Sequence, residues 1–424
     1  MRYLYSALLY LLVPVLLLRV LWRSRRAPAY RRRLAERFGL FPAPAPVPGP
    51  VIWVHAVSVG ETLAAAPLVH ALLQRHPGGR VVVTTTTPTG SARVADLFGA
   101  SVFHVYLPWD LPGAVRRFLA RLQPDLLILL ETELWPNLLH YTHVSGCRIV
   151  LANARMSERS ARGYGRLAGF TREVLGNLDA LACQAQADAA RLEALGAAPS
   201  RVSVTGSLKF DIDIDPVQRE AAQRLQAALG RPVLLGASTH AGEEALLLDA
   251  FAAAREHEPA LLLLLVPRHP ERFDEVYRLC RERGWPVARR SAGEPLPADC
   301  AVLLGDTMGE LRLFCGVASV CVVGGSFIPH GGQNPLEAAA WGVPLLCGPQ
   351  MYNFSEITRL LTEAGAMRQL ADPQQLAPAL AELLGDAGLR AQVGRAGEAV
   401  VERNRGALAR VLGLVDELLA QRRI

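Results

Sequence analysis

A chain of 424 residues exceeds one ordinary domain and suits two of roughly 150–200 residues each. With 51% hydrophobic and 20% charged residues it can bury sizeable cores, which excludes disorder as a global description. The formal charge of +6 is local: residues 1–40 hold nine Arg against one acid, Glu36, and the remainder carries a net −2. A surplus confined to one short segment points to a membrane surface and away from nucleic acid.

Residues 3–22, YLYSALLYLLVPVLLLRVLW, form an apolar run long enough to cross a hydrocarbon core of about 30 Å as a helix. The arginines after the run, and the lack of a small-residue cleavage site, argue against a cleaved signal peptide. By the positive-inside rule the basic stretch and all that follows stay cytoplasmic. Pro14 and Arg19 weaken the spanning reading and leave a helix lying partly in the interface as the alternative. Residues 1–40 are therefore expected to be a membrane anchor with a basic juxtamembrane segment, and FPAPAPVPGP (41–50) a stiff spacer.

From residue 51 onward, apolar strand candidates alternate with helical stretches. They are 51–57, 80–87, 102–108, 125–131, 148–154, 180–186 and 201–207, then 231–238, 260–269, 301–307, 319–327 and 343–349. Continuous apolar strands mean parallel sheets buried on both faces. The expected fold class is α/β: two tandem Rossmann-like, doubly wound domains facing a cleft, over 41–210 and 211–424. Seven cysteines without a CxxC pair, most of them in apolar runs, read as reduced core residues rather than zinc ligands or disulfides.

Several strand ends carry candidate chemistry. In HAVSVGETLAAAPLV, Glu61 stands at the start of the first helix, where it can complement the helix dipole or act as a general base in the cleft. DLLILLETELW ends a buried strand with Glu131 and Glu133, which are costly there unless paired, so a structural ion pair is the competing role. Lys209, in VTGSLKFD, is the single lysine among 45 basic residues, and its compact charge suits a developing anion or a carboxylate partner. FDIDID resembles a DxD metal motif but reads better as a linker with one wet face. TTTTPTGSARV lacks the P-loop lysine and reads as strand, turn and helix start.

In the second half, Arg268 and His269 emerge at a strand end and suit a phosphate or sugar carboxylate, or form a solvated loop. GDTMGEL offers Gly309, Glu310 and Leu311 in a polar loop. VVGGSFIPHGGQNPLEAAAWG leads four glycines into Asn334, Pro335, Leu336 and Glu337, which fit N-cap, N1, N2 and N3 of a helix. Capping alone accounts for those residues, yet such a terminus also suits a nucleotide phosphate. HExxH, the P-loop and, in the first turn, GxGxxG are absent, so a zincin, a P-loop NTPase and a nicotinamide dehydrogenase are unsupported.

Taken in order, HAVSVGE, ETELWPN, NARMSERS, GSLKFD, PRHPERF, GDTMGEL and GGQNPLEAAAWG behind an anchoring N-terminus resemble the 3-deoxy-D-manno-octulosonic acid (Kdo) transferases of lipopolysaccharide assembly. The resemblance implies a GT-B enzyme that moves Kdo from CMP-Kdo to the lipid A precursor (lipid IVA), inverting, with no cofactor and no metal in the catalytic step. It implies Glu61 as catalytic base, and Glu131 and Lys209 as stabilisers of the transition state. It further implies CMP contacts from Arg268, His269, Gly309, Glu310, Leu311, Asn334, Pro335, Leu336 and Glu337. The expected location is the inner membrane, catalytic domains on the cytoplasmic side, with membrane lipids but no nucleic acid as partners. Arg155, Arg159 and Arg162 are candidates for acceptor phosphates. The rivals are a transferase with another donor, such as UDP-GlcNAc, and a non-catalytic nucleotide-sugar-binding module.

Overall fold

The structure, a computed structural model, describes residues 1–25 and 27–421; Arg26 of the basic segment lies outside the described residues. The chain divides into two compact units, Met1–Asp211 with the stretch from Arg405 onward, and Ile212–Asn404.

In the first unit the strands are β1 (Val51–His55), β2 (Arg80–Thr85), β3 (Phe103–Tyr106), β4 (Leu126–Leu130), β5 (Arg148–Ala154), β6 (Ala180–Cys183) and β7 (Val202–Val204). In the second they are β8 (Val233–Thr239), β9 (Leu262–Pro267), β10 (Val287–Arg289), β11 (Val302–Leu304), β12 (Val320–Val323), β13 (Leu345–Cys347) and β14 (Met367–Gln369). Among the described residues they form two seven-stranded parallel sheets, ordered β3-β2-β1-β4-β5-β6-β7 and β10-β11-β9-β8-β12-β13-β14. The central strands are buried throughout, Leu-Leu-Ile-Leu-Leu in β4 and Leu-Leu-Leu-Leu-Val-Pro in β9, because helices cover both faces. All seven cysteines are buried and unbridged, as their apolar settings predict.

The first sheet reverses strand order between β1 and β4, and the second between β8 and β12. In open α/β sheets the crevice at the carboxyl ends of such strands is where ligands bind. β10 and β14 are additions to the sequence reading: each is a three-residue edge strand that lacks an apolar run.

The last helix, Ala407–Ala420, corrects the expected domain boundary, which gave residues 211–424 to the second domain. Its Ala407, Val411, Leu412, Val415 and Leu418 are buried with Ala65, Leu68, Val69 and Leu72 of the helix Val59–Arg75 in the core of the first unit. The Asp211 carboxylate fixes its start by accepting the N–H groups of Gly406 and Leu408, both at 2.7 Å. Asp215 caps the helix Pro216–Leu229 through the Gln218 N–H at 2.7 Å. Two of the three FDIDID carboxylates are thus committed to helix starts, in keeping with the linker reading.

Candidate active site

At the first reversal point the chain leaves β1 through Ala56 and Val57 into the helix Val59–Arg75, capped by Ser58. The Ser58 Oγ accepts the Glu61 N–H at 3.4 Å and donates to Glu61 Oε1 at 3.2 Å, while the Val57 N–H donates to Glu61 Oε2 at 2.7 Å. Both sequence readings of Glu61 therefore have a physical basis, since it is an N3 acid and also a half-buried carboxylate at the strand exit. Burial pushes its pKa up to about 7, the Val57 and Ser58 hydrogen bonds oppose the rise, and the charges of Glu131 and Glu133 add to it.

Glu131 follows β4 at φ +59°, a left-handed conformation uncommon for a side chain with a Cβ. Lys209 Nζ lies 3.5 Å from its Oε1, with both side chains about a quarter exposed. Lys209 is seated by Asn153 at the end of β5: the buried Asn153, itself at φ +54°, accepts the Leu208 N–H with Oδ1 at 3.1 Å. The ion pair named as the competing role of Glu131 is therefore present, and its partner is the single lysine. Glu133 accepts the Trp135 indole N–H at 2.7 Å, and burial raises its pKa as well. Glu61, Glu131 and Lys209, distant in sequence, are thus brought together at the carboxyl ends of β1, β4 and β7. Arg155, Arg159 and Arg162 are exposed just after β5.

In the second unit, Arg268 and His269 follow β9, and the Arg268 N–H donates to the Thr239 carbonyl at 2.9 Å. His269 meets the His240 ring edge-on at 5.3 Å, and His330 stacks on His240 at 4.4 Å. Burial, then the neighbouring His330, His269, Arg268 and Arg272, holds the His240 pKa down to about 4. The Gln333 side-chain amide meets the His240 Nε2 at 3.0 Å. Gly309 turns at φ +88° and Glu310 pairs with Arg290 at 2.8 Å, which lowers the Glu310 pKa. Leu311 opens the next helix, Leu311–Cys315.

The Asn334 Oδ1 accepts the Leu336 N–H at 3.1 Å, but the N-cap position falls to Pro335 and Asn334 stands one residue before it. The helix, however, is Leu336–Ala340, five residues, so it starts one residue later than read and has little macrodipole. Pro335 immediately precedes it and Glu337 is paired with Arg312 at 3.3 Å. The glycine-rich turn also spends its donors internally. Buried Glu243 accepts the N–H groups of His240 and Gly325 on Oε2, at 3.0 and 2.7 Å, and those of Ser326 and Phe327 on Oε1, both at 3.0 Å.

Glu243 is the residue that sequence reasoning missed. It follows Gly242 after β8 just as Glu61 follows Gly60 after β1, and β12 flanks β8 as β4 flanks β1. The two carboxylates occupy equivalent places with opposite surroundings. Glu243 faces a loop of backbone donors and is fully engaged, whereas Glu61 faces a loop bearing Glu131 and Glu133. A half-buried acid with two donors and two acidic neighbours is disfavoured as an ion relative to one held by four donors, the condition that poises a base near neutrality.

A sequence model described as 3-deoxy-D-manno-octulosonic-acid transferase (kdotransferase) matches residues 32–212. The 3-deoxy-D-manno-octulosonic acid transferase of Haemophilus influenzae is 40% identical over 421 residues, covering 99% of each chain. That of Bordetella pertussis is 41% identical over 430 residues, again covering 99% of each. A glycosyltransferase from Rickettsia africae shares the fold at 12% identity, with a TM-score of 0.55 over 88% of this chain and 99% of its own. With likeness running end to end and the acid pair and lysine converging at the first switch point, the chain belongs to the 3-deoxy-D-manno-octulosonic acid transferases, glycosyltransferases of lipopolysaccharide synthesis.

Proposed function

We propose that the enzyme transfers Kdo from CMP-Kdo to the lipid A precursor lipid IVA with inversion at the anomeric carbon. The observation that carries this reading is the Glu61 carboxyl, held near neutrality by burial and by Glu131 and Glu133 at the carboxyl end of β1. An acid so poised takes a proton efficiently at physiological pH. As the acceptor oxygen bonds to the anomeric carbon, its proton passes to Glu61. The bond to the phosphate oxygen breaks, and CMP departs with the electron pair. Lys209, 3.5 Å from Glu131, is assigned to the negative charge that grows in the transition state.

In this reading the first unit takes the acceptor and the second takes the donor. Arg268 and His269 follow β9, Gly309, Glu310 and Leu311 follow β11, and Asn334 to Glu337 close the glycine-rich turn after β12, so all three groups belong to the carboxyl ends of the second sheet. The Arg268 guanidinium suits the departing phosphate. Glu310 and Glu337 carry ion pairs of their own, which leaves backbone groups and neighbouring arginines to address the anion. Arg155, Arg159 and Arg162 are assigned to acceptor phosphates. The enzyme is placed at the inner membrane, anchored by its N-terminal helix, with both units on the cytoplasmic side.

Mass spectrometry of the lipid formed from CMP-Kdo and lipid IVA tests the reaction. A product heavier by Kdo, absent for Glu61→Gln and suppressed by excess CMP but not UDP, is expected. A product formed at the wild-type rate by Glu61→Gln would overturn the assignment.

A further inference from the structure

The helix Arg2–Ser24, with Pro14 inside it, has the length and composition to cross a membrane. Its two ends, however, are fastened to the same folded unit. At its start, the Arg2 guanidinium donates to the Tyr141 hydroxyl at 3.2 Å, and Arg116 lies 4.6 Å over the same ring. One turn on, the buried Ser6 hydroxyl donates to Asn137 Oδ1 at 3.0 Å. Asn137 is itself fixed by buried Asp110, which accepts the N–H groups of Asn137 and Leu138 at 3.1 and 2.6 Å and the Tyr5 hydroxyl. Tyr10 follows, its hydroxyl accepting the Gly113 N–H at 3.1 Å.

The far end is held as well. Arg31 Nε donates to Ser24 Oγ at 2.5 Å, and the next turn, Leu34–Phe38, bonds into the edge of the sheet. There the Tyr106 N–H donates to Glu36, the Trp109 N–H to the Arg37 carbonyl and the Arg37 guanidinium to the Thr86 carbonyl, each at 2.8 Å. A helix of 23 residues is roughly 35 Å long, so in a spanning pose its ends would lie on opposite faces of the bilayer. The first unit would have to follow, and exposed Arg116 and Arg117 would enter hydrocarbon, an expensive place for charge.

The outward face suits a different pose. Leu4, Leu8, Leu11, Val15, Leu18 and Trp22, alternately four and three residues apart, form one stripe, and each is 55–76% exposed. Arg19, Arg23 and Arg25 are exposed along its far half and suit lipid phosphates.

We infer that this helix lies flat in the membrane interface, its leucine stripe in the acyl boundary and its first residue on the same side as the catalytic units. The docking residues Asp110, Gly113 and Asn137 come from the segments that follow β3 and β4, and Glu131 directly follows β4. The bilayer surface is thereby set near the carboxyl ends of the strands, where the acids stand. This rests on the membrane association proposed above, but not on the identity of donor or acceptor.

The full-length protein with an epitope before Met1 gives the test. Protease should remove the epitope in inverted inner-membrane vesicles and spare it in spheroplasts. A Ser6→Cys, Asn137→Cys pair should cross-link on oxidation in the same membranes. Leu8→Glu with Leu11→Glu should reduce binding to phosphatidylethanolamine–phosphatidylglycerol vesicles at least roughly tenfold, with the circular dichroism of the wild type. Cleavage in spheroplasts, or no cross-link, would establish a spanning or undocked helix and overturn the inference. Vesicle binding unchanged in the double glutamate variant, with a dimer becoming a monomer, would assign the stripe to a second copy. A wild-type protein that stays in the soluble fraction would instead remove the membrane association itself.

Discussion

Replacing Glu61 by glutamine should cut turnover sharply and, above neutral pH, stabilise the protein. The folded state raises this carboxyl from its ordinary 4.5 to about 7. An acid whose folded pKa is raised is most favourable to folding below its unfolded value, and that advantage is lost as pH climbs through the folded value. Across that interval the ionised form carries a penalty of ~3 kcal/mol, and solvent at a half-buried side chain together with the weaker Val57 bond to glutamine reduces the expected gain to roughly 1–2 kcal/mol. Thermal or denaturant unfolding at pH 8 should therefore rank Glu61→Gln above the wild type, and the difference should vanish near pH 4.5. In parallel, Kdo transfer should fall by about two orders of magnitude or more, as for loss of a general base. A variant less stable than the wild type at pH 8 would mean that Glu61 is chiefly a cap, and the reasoning from its surroundings would fail.

The same carboxyl predicts that wild-type kcat/KM rises from pH 6 to pH 8 with an apparent midpoint near 7, read from initial rates with acceptor well below its KM. Lys209→Met should cut kcat by roughly 10²–10³, and Lys209→Arg should recover little because a planar fork does not replace a point charge beside Glu131. Glu243→Ala leaves four backbone donors without their carboxylate and should cost ~3 kcal/mol or more on unfolding, with CMP binding by calorimetry lost. Arg155→Ala combined with Arg159→Ala should raise the acceptor KM while leaving CMP binding unchanged; an unaltered KM removes those residues from the acceptor site.

Much of this was open to inspection in one dimension because parallel strands buried on both faces announce themselves as apolar runs, as β4 and β9 do. β10 and β14 did not, since Val-Ala-Arg and Met-Arg-Gln are edge triplets whose pairing depends on a neighbour already in place. Glu61, Glu131 and Lys209 stood out by residue type and position at strand ends. Their electrostatics did not, because the burial that chiefly raises Glu61 exists only in the packed fold, and the charges that add to it arrive in the loop after β4, some 70 residues later. Glu243 escaped notice for a related reason: three of its four donors lie 82 to 84 residues downstream. The final helix was recognisable by its periodicity, but nothing local said which unit its apolar face would join.

That last helix sets an order on biosynthesis. Residues 212–404 form one uninterrupted stretch and can compact as soon as they leave the ribosome. The unit begun earlier cannot close its core until Val411, Leu412 and Val415 have been translated, because they fill the face over β4 and β5. The segment translated first therefore finishes last, and a stop codon just after Asn404 would leave an intact second unit beside a first one with an open apolar face.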